Sequence, residues 1–534
     1  MVGVAGKSKA CKTCKKRKVR CEGEKPTCDR CRKGGRICEG YEPERQFQFK
    51  HLSALDHDAL LARSQPLTSL TELSYVRVLH GNPAIDEQGH VTNDTVKTKE
   101  HSCEHLRRSV SQTSELFLNY LYNYLLKEAR EDDNYQTPVS CLQAIGPLRR
   151  RNSSLDLAMS ALSMVRLGRN CGNEQLHSEG VANYGRVLKD LQNILSSDSR
   201  ALDEQTLASC MILSLFEATE VSGGNVYWWA SHVEGVSRLL QLRGSKLHID
   251  EPSHRLFLGF RPTAIIYALA LRKPTYLGET DWLTTPWTTK SKSDFHYMLD
   301  IIAQIPILVN QTERVHEVSQ SNISVAKRME LLEEAWDLHR QLEVWYQELR
   351  KKVFEPLYSE RPSSLSWLSP LPPDLGTVFP TLHFQTFEIA RLHLLYWTAL
   401  LLLYDNILKT IYPPLDPNDL SSASSSRYPT ILLMTNKPAV RRRALETAKL
   451  IARSMEFLLL EENQEMHLRG PLNAFFPLRT AIHIFESVQQ YRIESWCRSL
   501  FDRLAQRGYP LGQILCGWKW DDIPIFLSRS SLET

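Results

Sequence analysis

Apolar side chains recur three and four residues apart along most of the chain, beginning near Thr113. Phe117, Tyr120, Leu121, Tyr124 and Leu125 form the first such stripe, which is the spacing of one helix face. The same period predicts helices over 155–168, 175–196, 204–219, 227–242, 254–272, 295–309, 325–352, 381–409, 441–461, 473–490 and 493–506. Alternating β-branched residues are scarce. Breaks fall at Gly223-Gly224, PSSLSWLSPLPPDLG and SSASSSRYP, whose compositions favour turns and loops. About a dozen helices with short connections predict an all-α region over residues 111–534.

Three stretches of this region allow two readings each. Leu331, Ala335, Leu338, Leu342, Trp345 and Leu349 step by alternating fours and threes, the seam of a coiled coil. The plainer expectation, a long helix packed into the core of its own domain, is preferred. Residues 392–404 are almost wholly apolar but too few to span a bilayer, so a buried helix is expected. The tail WKWDDIPIFL (518–527) has the composition of short acidic–hydrophobic activation segments. A segment docked over the core is the preferred expectation.

Residues 46–110 keep no sustained period. They carry Pro66 and Pro83, and HLSALDHDALLAR supplies fewer than two heptads, so a mostly irregular linker is expected. Residues 1–45 form a third region, and charge separates it from the rest. The chain of 534 residues has a net charge of only +4. Between residues 7 and 38 it holds thirteen Lys and Arg against three acids, a local net of +10 that leaves −6 for everything else. A basic head on a mildly acidic body points to an anionic partner, nucleic acid first. The N-terminus has no apolar run of signal-peptide length, and an intracellular chain outside the membrane is expected.

Six of the twelve cysteines lie in this head as C-x2-C-x6-C-x6-C-x2-C-x6-C: Cys11, Cys14, Cys21, Cys28, Cys31 and Cys38. The pattern is an internal repeat, CKTCKKRKVRC followed by CDRCRKGGRIC. A disulfide knot calls for an oxidising compartment and usually a short secreted chain. Zinc calls for thiolates at tight spacing, which are present. One tetrahedral zinc would strand two of the six sulfurs. Two zincs need eight positions from six sulfurs, so two cysteines must bridge. Repeat symmetry makes the bridges equivalent positions in the two halves without saying which.

The charge balance separates metal from bases. Six thiolates and two Zn2+ leave the filled cluster at about −2, so the head stays strongly positive. The bases therefore face a second anion. Lys15, Lys16, Arg17, Lys18 and Arg20 cluster between the second and third cysteines. No helix breaker interrupts the first half, so its helix is expected to reach Arg17 and Lys18. Gly34-Gly35 should stop the second helix after about one turn. The first helix is then the better candidate for a DNA groove, with Lys or Arg reading guanine and other bases holding phosphates.

The cysteine pattern resembles the fungal Zn2Cys6 binuclear-cluster domain, with no departure in spacing. The resemblance implies that Cys11 and Cys28 bridge the two zincs and that Pro26 sets the turn between the halves. It also implies that Arg17 and Lys18 contact a CGG-type triplet, leaving Lys15, Lys16 and Arg20 for phosphates. In the later region, WASHVEGVSRLLQLRG (229–244), LRKPTYLG (271–278), ARLHLLYWTALLLL (390–403), AKLIARSMEFLL (448–459), PLRTAIHIFES (477–487) and WCRSLFDRLAQRGYPLG (496–512) together resemble the fungal-specific transcription factor domain. This resemblance implies a nuclear regulator of transcription, often a pathway-specific activator of a biosynthetic gene cluster, with the transcription machinery as partner. A repressor or a regulator of nutrient or stress genes is the alternative, and homodimerisation stays open.

An enzyme that uses the cysteine head only as a structural module is the competing class. Against it, the chain has no G-x-S-x-G, H-E-x-x-H or G-x-G-x-x-G. The run Gly3-Val4-Ala5-Gly6-Lys7-Ser8 ends like a phosphate-binding loop but lacks its first glycine and a preceding strand. His232 in W-x2-H-x2-G is expected to be a hydrogen-bonded core histidine, and Cys210 a core residue. No catalytic residue is assigned.

Overall fold

The computed structural model describes residues 11–17, 19, 21, 28–36, 38, 145, 148, 153–196, 198–220, 227–317, 325–352, 356–363, 380–411, 435–459 and 466–528. The helix expected around Phe117 to Leu125, the linker 46–110 and the loops near Gly223, 364–379 and 412–434 lie outside these residues. Two compact units divide the chain, one within residues 1–53 and the other within 54–534.

The first unit holds two short helices, α1 (Lys12–Lys16) and α2 (Asp29–Lys33). The second begins with α3 (Ser154–Asn170) and α4 (Glu174–Leu195). Ser153 and Asn173 cap them, each side-chain oxygen accepting a backbone N–H three residues on. The pair packs closely because Gly180 has no side chain. A Cβ there would lie 2.5 Å from Val165 Cγ2 and 2.8 Å from its backbone N. Next come α5 (Asp198–Ala201), α6 (Glu204–Glu220), α7 (Tyr227–Arg243), α8 (Ser253–Leu271) and α9 (Thr280–Thr284).

The helix expected over 295–309 is two helices, α10 (Asp294–Ile302) and α11 (Ile305–Glu317). Pro306 explains the break: it has no N–H to donate, and its ring clashes with the carbonyl of Ile302 in a continuous helix. Beyond them α12 (Val325–Lys352) buries all six residues of its seam. The seam packs inside its own domain, as expected, against α10, α11 and α13 (Phe387–Ile411). The apolar run sits within α13, which is long and apolar enough to cross a membrane by length and composition. In this fold 89% of its apolar window is buried against neighbouring helices.

Residues 381–384, expected to open that helix, form a strand instead. β2 (Thr381–Phe384) pairs antiparallel with β1 (Tyr358–Arg361), Tyr358 opposite Phe384. Four residues are too few for periodicity to separate strand from helix. The remaining elements are α14 (Lys437–Leu459), α15 (Met466–Ser487), α16 (Tyr491–Gln506), α17 (Pro510–Gly517) and α18 (Ile523–Ser528).

The tail is docked. Trp520, Ile523 and Leu527 are buried. Trp520 stacks on His483 with ring centres 5.0 Å apart, and Asp521 pairs with Arg272 at 3.0 Å. Two further expectations on core residues hold. Cys210 is buried, which pushes its thiol up to about 12. His232 is buried with Nε2 3.3 Å from the Tyr184 hydroxyl, and burial pushes it down to about 4. Tyr184 donates to Glu217, whose carboxyl oxygen lies 4.0 Å from His232. Burial pushes Glu217 up to about 8, against the opposing effect of the Tyr184 hydrogen bond. Glu217 escaped the sequence reading because it lies fifteen residues before His232 on a different helix.

Candidate metal centre and nucleic-acid interface

The cysteine repeat becomes a structural repeat with an offset of seventeen residues. Cys11 precedes α1 and its Sγ accepts the N–H of Cys14 at 3.3 Å. Cys28 precedes α2 and its Sγ accepts the N–H of Cys31 at 3.4 Å. Both helices then close with the same reach. Val19 donates to the Cys14 carbonyl at 3.1 Å, and Arg36 to the Cys31 carbonyl at 3.0 Å. In the second half the turn passes through Gly35 at φ +59°, a conformation that glycine adopts at little cost. The third cysteine of each half, Cys21 or Cys38, follows that turn.

The six sulfurs meet. Cys11 and Cys28 are 3.6 Å apart, Cys14 and Cys28 3.7 Å, Cys11 and Cys31 3.9 Å. Four thiolates around one tetrahedral zinc at about 2.3 Å stand about 3.8 Å from one another. None of these cysteines is in a disulfide, which would bring two sulfurs to about 2.05 Å. Two groups of four have all their sulfurs within 4.8 Å of each other: Cys11, Cys14, Cys21, Cys28 and Cys11, Cys28, Cys31, Cys38. The shared members are Cys11 and Cys28, the pair that the resemblance implies as bridges. The six cysteines are thus positioned to bind two zinc ions.

Donor chemistry supports the fit. Burial disfavours a charged thiolate, pushing Cys11 and Cys14 up and Cys31 to about 12. Several thiolates crowded this closely need a cation between them, and divalent zinc, which prefers sulfur and tetrahedral geometry, meets the requirement. No ligand position remains for a water or substrate once four sulfurs surround each metal.

The bases are placed unevenly. Lys16 and Arg17 are exposed, and Lys15 lies in α1. Lys18 and Arg20 lie outside the described residues. The expectation that the first helix outruns the second is corrected: each has five residues, and Arg17 is already in the turn. The Val19 bond to the Cys14 carbonyl closes α1 just as the Arg36 bond closes α2. Helix length therefore does not distinguish the halves, but charge does. In α2, Asp29 pairs with Arg32 and, at 3.0 Å, with Lys33. The equivalent position in α1 is Lys12, and α1 contains no acid. The second half pairs part of its own charge within its helix, while α1 has no acid of its own.

Comparison with known proteins agrees with this geometry. The family model of the fungal Zn(2)-Cys(6) binuclear cluster domain matches residues 9–47. The model of the fungal specific transcription factor domain matches residues 112–506. A protein of Emericella nidulans bearing the name Uncharacterized protein AN5342 is 30% identical over 131 residues. That alignment covers 24% of this chain and spans 28% of the relative's length. No solved structure matches.

Proposed function

The chain belongs to the family defined by the fungal specific transcription factor domain, and from that membership and its cysteine head we propose that it is a zinc-dependent, sequence-specific regulator of transcription. One observation carries the reading: two cysteine tetrads sharing Cys11 and Cys28, beside a helix whose bases have no acid among them. In this reading residues 1–45 bind DNA, 46–110 link, and 111–534 regulate.

Zinc would be held by Cys11, Cys14, Cys21 and Cys28 on one side and by Cys11, Cys28, Cys31 and Cys38 on the other. Its contribution is structural, closing a module too small for an apolar core. The residues of the chain do the rest. Cys11 and Cys28 accept the N–H groups that start each helix, so the sulfurs fix the direction of α1. Arg17 and Lys18 read a CGG-type triplet in the major groove, and Lys15, Lys16 and Arg20 hold phosphates. The body then acts in the nucleus on the transcription machinery as an activator of a pathway, in keeping with the family. No catalytic step is assigned to it.

The test is a binding selection on the full zinc-loaded chain. Lys18→Ala should lose about 1–3 kcal/mol of discrimination within the triplet, whereas Lys15→Ala should weaken binding to all sequences alike. An unchanged triplet preference for Lys18→Ala overturns the assignment of the bases. One zinc per chain, rather than two, overturns the bridged cluster. For the activator reading, genome occupancy combined with transcript profiles after overexpression decides, and occupancy without any change in expression counts against it.

A further inference from the structure

Around Trp287, between α8 and residues 285–300, the body buries hydrogen-bond donors that meet no acceptor. The centre of the Trp287 ring is 5.0 Å from that of His296 and 5.4 Å from that of His254. The Arg261 guanidinium carbon stands 5.8 Å from it and the Lys292 Nζ 5.1 Å. Phe257 adds an apolar wall at 6.3 Å. Four polar atoms of this group are buried without a hydrogen-bond partner among the described residues: Trp287 Nε1, His296 Nε2, Arg261 Nε and Ser293 Oγ. The tryptophan and arginine nitrogens can only donate. For His296 the other ring nitrogen decides. The Arg261 guanidinium, itself only a donor, lies 3.5 Å from Nδ1, which places the ring proton on Nε2. Ser293 occupies the N-cap of α10, yet its hydroxyl accepts no N–H of that helix. Buried polar groups are nearly always paired, so a cluster of unpaired donors calls for a partner.

Charge points the same way. Arg261 and Lys292 both donate to Asp300, one to each carboxylate oxygen, so two cations share one anion. Their side chains are 0% and 9% exposed, which leaves water little access to the surplus charge. Arg243, another buried arginine, shows the contrast, since it has Glu204 at 3.0 Å as a carboxylate of its own. Burial holds His296 neutral, and the charged groups that act on it, Arg261, Arg391, His254 and Lys292, include no acid.

An acceptor that carries negative charge would answer the donors and the surplus cation together. The N-terminus of α10 favours an anion as well. Trp287 is only half-buried, so the group reaches the surface at that ring. A carboxylate offers two acceptor oxygens in one plane, and its organic part can lie against Trp287 and Phe257. We propose that a small organic carboxylate binds here, accepting from Trp287 Nε1 and His296 Nε2 and balancing the charge of Arg261 and Lys292. The site lies wholly within the body.

The experiment follows the melting temperature of the full zinc-loaded chain at constant ionic strength and pH. Sodium acetate and sodium benzoate are compared with sodium chloride and sodium phosphate. At a hundredfold excess over its Kd, a carboxylate should raise the transition of a body this size by about 3 °C, saturably. Trp287→Phe keeps the ring and removes the N–H, and should weaken carboxylate binding by about tenfold to a hundredfold. Lys292→Gln removes the surplus cation and should weaken it too. The four salts acting alike overturns the proposal, and this outcome is read on the wild type even where a variant does not fold. Stabilisation by phosphate without acetate or benzoate overturns the carboxylate as ligand. A carboxylate effect that survives unchanged in both variants overturns the assignment to this site.

Discussion

In the head, the side chains packed at the centre are the sulfurs of Cys11, Cys14, Cys28 and Cys31, with Val19 as a half-buried apolar neighbour. In the body, the centre is leucine, isoleucine and aromatic rings, and it also swallows whole arginines. Arg261 is fully buried against the carbonyl of His296 and the carboxylate of Asp300. Arg391 lies over the Phe295 ring at 3.9 Å and pairs with Glu388 at 3.0 Å. The contrast identifies the source of order in each unit. The head depends on a coordination energy supplied from solution. The body depends on apolar burial large enough to carry the desolvation of several charges. Conditions that melt one should leave the other standing.

Removal of metal breaks the comparison most sharply. A strong chelator should unfold the head and abolish DNA binding, since a structural zinc contributes on the order of 10 kcal/mol to the fold it closes. Helical circular dichroism and the melting transition of the body should persist. Loss of both signals together would mean that the two units are not independent in stability.

The next effect belongs to the body alone. Glu217 holds its proton up to about 8 in the fold, against the ordinary 4.5 of an exposed glutamate, because it is buried. The native state therefore binds a proton that the unfolded chain releases, and stability falls as pH rises between those values. Glu217→Gln cannot release a proton. Its stability relative to the wild type should grow with pH across that window, reaching roughly 3 kcal/mol near pH 7. Denaturant melts of both proteins from pH 5 to 8 measure the difference, and a constant gap would show that Glu217 does not titrate there. Zinc content and DNA affinity should not move with this substitution.

The smallest effect compares the two halves of the head. Asp29→Asn releases Arg32 and Lys33 from their partner. Exposed pairs of this type contribute up to about 1 kcal/mol. The variant should bind all DNA sequences slightly more tightly, without a change in triplet preference, in a titration at low salt. A weaker affinity would indicate that Asp29 organises the head rather than neutralises it.

Much of this was legible from the chain. The cysteine spacing alone required two bridges, because six sulfurs must fill eight positions. Spacing left the bridging pair open, the family resemblance implied Cys11 and Cys28, and these are the two cysteines common to both tetrads. The seam of α12 was visible as a period, and the aromatic, acidic tail as a composition. Their burial against neighbours is a tertiary fact that neither pattern contains. Local chemistry explains two of the departures. Pro306 interrupts a continuous apolar period without changing it, and four residues at Thr381 carry too little pattern to distinguish strand from helix. The end of α1 was hidden for another reason. Its sequence permits more helix, but the Val19 bond to the Cys14 carbonyl closes it at the same point as its repeat partner.

Sulfurs shared by the two groups would also make the two metal positions one thermodynamic object. Cys11 and Cys28, common to both groups, would be held deprotonated and in place once either position is filled, so half of the ligands of the other position would be ready, and by reciprocity emptying either position would weaken the other. At limiting zinc the population should divide into molecules carrying both ions and molecules carrying neither, with few holding one. Supply of the metal then sets the number of competent molecules, while each competent molecule keeps the same affinity for DNA.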